Sequence, residues 1–72
     1  MDTQLLIAQG NEYRAQNQPT DALKCYAQAF VDDPDSASAF NNYGNVLREV
    51  GEPNGAVAFL QRAIQLDPDN IT

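Results

Sequence analysis

The sequence predicts an all-α fold: two stacked helix-turn-helix units, four antiparallel helices in all, forming a fragment of an α-solenoid. Three observations predict it. Gly10, Ala22, Ala29 and Asp33-Pro34-Asp35 recur 34 positions later as Gly44, Ala56, Ala63 and Asp67-Pro68-Asp69, and Pro19 recurs as Pro53; a period of this length marks one supersecondary unit copied in tandem. Within each copy, apolar residues return every three or four positions, which lines them along one stripe of a helix. Between the periodic stretches stand prolines and an asparagine or glycine, the residues that start and stop helices.

The first helix is expected over residues 3–16, with Leu6, Gly10 and Tyr13 on one stripe. Asn17 ends it, because asparagine tolerates the left-handed conformation that closes many helices; the same place in the second copy is held by Gly51, which adopts it most readily. Pro19 then opens a helix over 19–32, since a first-turn residue loses nothing by lacking an N–H. Ala22, Tyr26 and Ala29 form its inner face, with Leu23 and Phe30 beside them. Pro34 stops it by disfavouring a helical residue before itself. Asp35 or Ser36 caps a third helix over 37–50, and Pro53 opens a fourth over 53–66, whose inner face carries Ala56, Leu60 and Ala63 beside Val57 and Ile64. Where the paired helices cross, Gly10 is expected to face Ala22 and Gly44 to face Ala56, small residues that let helix axes approach closely. Leu6, Tyr13, Tyr26, Phe40, Tyr43, Leu47 and Leu60 are expected to fill the rest of the core.

The stretch AFNNYGNVLREVGEPNGAVAFLQRAIQLDPDN, with Phe40, Tyr43, Gly44, Ala56, Ala63 and Pro68 at their spacings, resembles the tetratricopeptide repeat. On that resemblance the chain holds two tandem repeats, residues 3–36 and 37–70, and Ile71-Thr72 stands where a third would begin. The first copy departs from the pattern at Leu6, where the family favours tryptophan, and at Gln9, where it favours leucine.

Composition narrows the function. Four basic against ten acidic residues give a net charge of -6, which repels nucleic acid and anionic membrane surfaces. No apolar run reaches the roughly 18 residues of a membrane span, and the start lacks the basic segment of a secretion signal. Cys25 is the only cysteine and there is no histidine, so no cofactor or metal is expected, no catalytic constellation is visible, and the chain is read as cytoplasmic and not an enzyme. Asp32, Asp33 and Asp35 read as turn and cap residues, because the glycine and distal glutamate of a calcium loop are missing.

The partner is expected to be a protein or peptide. In the family that the chain resembles, the first helices of successive repeats line a concave groove. Carried onto this sequence, that groove is Gln4, Ile7, Ala8, Asn11, Arg14 and Ala15, then Ser38, Asn41, Asn42, Asn45, Arg48 and Glu49. Asn11, Asn41, Asn42 and Asn45 offer a donor and an acceptor each and can hold peptide backbone, and Arg14 and Arg48 can each pair with a carboxylate. Repeat arrays normally need about three units and a polar cap, so the fourth helix is expected to expose a strip of Leu60, Ala63, Ile64 and Leu66. Self-association through that strip, making a homo-oligomer, and continuation into a longer array both satisfy it. A different reading makes the chain the non-catalytic N-terminal segment of a longer enzyme, such as a glycosyltransferase or methyltransferase.

Overall fold

The computed structural model of the chain describes residues 2–68. The expected third-repeat start at Ile71-Thr72, and the end of the second repeat beyond 68, lie outside these residues. Four helices follow in order: α1 (Thr3–Ala15), α2 (Pro19–Asp32), α3 (Ala37–Glu49) and α4 (Pro53–Leu66). Each starts where the prolines and polar caps place it, and α1 and α3 end one residue earlier than expected.

Local chemistry explains every boundary. Asp2 caps α1, its Oδ1 accepting the Gln4 N–H at 2.9 Å, and Ser36 caps α3 by accepting the Ala39 N–H at 3.3 Å. Pro19 and Pro53 sit in the first turns of α2 and α4. Both hairpin turns are Schellman closures. Asn17 at φ 61 and Gly51 at φ 88 carry the left-handed residue, and the Gln18 and Glu52 N–H groups reach back to the Tyr13 and Leu47 carbonyls at 2.9 and 2.8 Å.

The core begins inside the first hairpin. Leu6 and Ile7 of α1 pack with Ala22, Tyr26 and Ala29 of α2 and with Ala39 and Val46 of α3, and Leu23, Phe30 and Tyr43 close over them. Ala56 and Ala63 of α4 are buried as well. Each helix lies mainly against its neighbours in the chain: α1 on α2, α2 on α3, and α3 on α4, with a sparse contact between α1 and α3.

Phe30 is the ring that joins the two units. It stacks on Phe40 with centroids 4.6 Å apart, meets Tyr43 edge-on at 5.3 Å and approaches Phe59 at 5.8 Å. Phe59 completes this cluster by lying 4.4 Å from Tyr43, a role the repeat pattern did not single out.

Two packing expectations are refined. An added Cβ on Gly10 would meet the Tyr26 ring first, 2.5 Å from its Cε1; at Gly44 it would meet the Leu60 side chain at 2.8 Å and, as expected, Ala56, at its carbonyl 3.2 Å away. Tyr26 lies one turn beyond Ala22 on the same stripe of α2, and its long ring reaches the glycine. Tyr13 is exposed rather than a core filler; it lies at the surface beside Cys25 of α2, at a shallow pocket.

Candidate functional site

The first helices of the two units share one polar face, and a bridge ties them together. Arg14 in the last turn of α1 donates from Nε to Oε1 of Glu49 at 3.0 Å and from Nη2 to Oε2, a bidentate pair with the last turn of α3. The hydrogen bonds hold the Glu49 carboxyl below its ordinary range and push the Arg14 guanidinium up. Arg14 is therefore spoken for. Its role is to set the spacing of α1 and α3, and sequence alone marked both residues as groove positions without pairing them. Arg48 makes no hydrogen bond or ion pair among the described residues, although its charge helps to lower Glu49.

A second link runs underneath. The Tyr26 hydroxyl, reaching out of the core, donates to Oδ1 of Asn11. Burial pushes the Tyr26 phenol up, with Arg14 pulling weakly the other way, so the hydroxyl stays protonated and remains a donor. Asn11 is thereby oriented with its amide N–H groups left over for another acceptor. The tyrosine that anchors the first hairpin also positions a residue of the polar face.

The remaining groove positions divide clearly. Asn41, Asn42 and Asn45 are half-buried on α3 and have no side-chain partner among the described residues. Asn41, Asn45 and Arg48 fall at spacings of four and three, one stripe of the helix, and Asn42 lies three before Asn45. Ser38 is half-buried, whereas Gln4, Ala8 and Ala15 are exposed. Ile7 is a correction: only 7% of its surface is exposed, and it belongs to the core.

The pH dependence of the bridge follows from its sign. Glu49 is lowered in the fold, so its contribution is present above the unfolded value of about 4.3 and is lost as pH falls through the lower folded value. Glu49 is about half exposed and water screens it, so Glu49→Gln should cost about 0.2–1 kcal/mol at pH 7 and less at pH 3. Urea titrations of both proteins at the two pH values check this; an equal difference at both would show that the pair is not the cause.

At the other end of the molecule the expected strip on α4 is redrawn. Ala63 is buried, at 1% exposure, because it faces α3 as Ala29 faces α1; Leu60 and Leu66 are half-buried, Leu60 against Gly44. The exposed apolar residues are Ile64, at 46%, and Val57, at 52%. Cys25 is half-buried in a shallow pocket with Gln9, Glu12, Tyr13 and Gln16, and burial pushes its thiol up, away from a reactive thiolate. Among the described residues no cluster of three or more histidine, cysteine, aspartate or glutamate side chains is placed to hold a metal ion, and no helix is long and apolar enough to cross a membrane.

Two helix-turn-helix units with a glycine at each crossing, closed by matching turns, form the architecture of one known repeat family, whose model matches residues 7–71. The chain belongs to the tetratricopeptide repeat family. Repeats of this family generally mediate protein–protein interaction. Two similar proteins are Protein O-mannosyl-transferase TMTC1 of Mus musculus and of Homo sapiens, each 35% identical over 68 residues. That match covers 94% of this tetratricopeptide repeat chain but only 7% and 8% of those proteins.

Proposed function

We propose that this chain is a non-catalytic interaction module that holds an extended peptide or a partner helix on the face shared by α1 and α3. The observation that carries this is the row of half-buried carboxamides, Asn41, Asn42 and Asn45, with unused donors and acceptors beside Arg48. Asparagine is a poor helix former because its side chain competes with the backbone, so three of them within five positions of α3 call for a reason other than propensity. Asn11, fixed by Tyr26, extends the row onto α1. Carboxamides at helical spacing suit peptide backbone, and Arg48 suits a carboxylate on the bound segment. Arg14 acts through the bridge to Glu49 and sets the width of the face.

The outer side of α4, with Val57 and Ile64, is the second part of the reading and serves self-association. A reducing, cytoplasmic setting suits the single half-buried thiol. The two mannosyl-transferase relatives also favour a related reading, in which the chain is a non-catalytic repeat segment of a longer enzyme; a reading frame continuing into a catalytic domain is what it requires.

Selection from a displayed library of random 12-residue peptides, followed by titration of the purified binders, tests the polar face. Asn42→Ala with Arg48→Glu should weaken binding at least about tenfold, which is about 1.4 kcal/mol, while Ile64→Lys leaves it unchanged. Binders that ignore the double substitution would remove the groove from consideration.

A further inference from the structure

The interface between α2 and α3 shows how one helix docks on the outer side of the next unit. Phe30 of α2 lies against Phe40 and Tyr43, and Val46 of α3 is buried completely in the cluster that holds Tyr26 and Ala29 of α2. Shifting by 34 positions turns this interface into a test of both ends of the molecule. Leu23 and Phe30 become Val57 and Ile64, so α4 carries a copy of the docking surface that is exposed among the described residues. In the other direction Phe40, Tyr43 and Val46 become Leu6, Gln9 and Glu12, and Ala39 becomes the half-exposed Leu5, so α1 keeps apolar surface at its start but places polar groups where Tyr43 and Val46 stand.

Glu12 decides the matter. If α4 of one copy docked on α1 of another as α2 docks on α3, Glu12 would take the place of the fully buried Val46, and its carboxylate would leave water. No cation on α4 can meet it there. The helix has one, Arg62, whose counterpart Gln28 is exposed on α2, away from the docking side. The surface of α4 has the opposite property. Between Pro53 and Leu66 there is no acidic residue, although the chain carries -6 overall, so this is where two copies meet with the least charge repulsion.

We infer that self-association of this chain is closed: two copies pair α4 with α4 about a two-fold axis, and Glu12, flanked by Gln9 and Gln16, bars the head-to-tail stacking that would otherwise build a filament. This rests on the self-association part of the proposed function and specifies its partner, a second copy in one orientation.

Light scattering behind a sizing column, with reductant and over about a hundredfold range of concentration, reads the difference. The wild-type mass should rise from one chain of 7.9 kDa to two and stop, and Ile64→Lys should hold it at one. Gln9→Tyr with Glu12→Val and Gln16→Val should pass two chains and keep rising, and adding Ile64→Lys to that variant should abolish the growth. Glu12→Ala alone, which adds no bulk, should pass two chains at the highest concentrations. A wild type that grows without limit would overturn the inference. So would a wild-type dimer whose Glu12 variants keep their helical circular dichroism and still stop at two. A wild type that stays at one chain throughout would instead remove the self-association reading beneath it.

Discussion

Gly10→Ala is expected to destabilise the protein by about 1–2 kcal/mol, even though the same substitution inside an exposed helix stabilises it by roughly 1 kcal/mol. Overpacking decides the sign, at about 1–3 kcal/mol for extra carbon in a filled core. The new methyl would lie 2.5, 2.8 and 2.9 Å from three atoms of the Tyr26 ring. That ring cannot retreat, since it is completely buried and its hydroxyl is held by Asn11. For a domain of this size the loss should appear as a fall of about 5–15 °C in Tm. Gly44→Ala should cost less, because its nearest contacts, at 2.8 and 2.9 Å, are to the half-buried aliphatic chain of Leu60 and not to a fully buried ring, although the Ala56 carbonyl at 3.2 Å still crowds the new methyl. The decisive variant combines Gly10→Ala with Tyr26→Leu, which gives the new methyl the neighbour that Gly44→Ala meets in the second unit. If the contact is the cause, the two changes should be coupled by more than about 1 kcal/mol, as touching residues are. A Gly10→Ala protein that melts higher than wild type would sink this account.

Phe30→Ala should have the larger effect. Truncating a fully buried phenylalanine costs about 3–5 kcal/mol; Phe30 is half-buried, so about 2–4 kcal/mol is the expectation, a large share of what holds so short a chain together. The four-ring cluster draws Phe40, Tyr43 and Phe59 from the second unit and only Phe30 from the first. Its removal therefore strikes the joint between units, and repeat proteins behave as sums of unit stabilities and joints between neighbours. Urea unfolding should show a shallower dependence on denaturant as the units begin to melt separately. Phe59→Ala, which deletes a ring from within the second unit, should lower stability without that change of slope. A Phe30→Ala protein with wild-type slope and a loss below about 1 kcal/mol would place the joint elsewhere.

What the sequence made legible is the part governed by local chain chemistry. Pro19 and Pro53, Asn17 and Gly51, Ser36 and Pro34 place the four helices to within a residue, because each acts on the backbone next to it. The rotation of each helix about its axis is a collective outcome of packing and was less visible. That is why Ile7 and Ala63 lie inside, and why Tyr13 lies outside. The asparagines of the polar face are assigned through the resemblance to the repeat family, which says which face the first helices share. The bond from Tyr26 to Asn11 and the bridge from Arg14 to Glu49 could not be placed, since each joins side chains from different helices that meet only after folding.

The serial packing of the helices, each mainly on the one before and the one after it, bears on how the chain acquires its structure. Short hairpin turns make ring closure cheap in chain entropy, and domains dominated by such local contacts fold on the order of microseconds to milliseconds. The first hairpin, α1 on α2, contains Gly10, Tyr26, Asn11 and most of the buried cluster, so it can begin to form before α3 and α4 have left the ribosome. Phe30 is then already in place when Phe40 emerges, and each unit can serve as the surface on which the next one condenses.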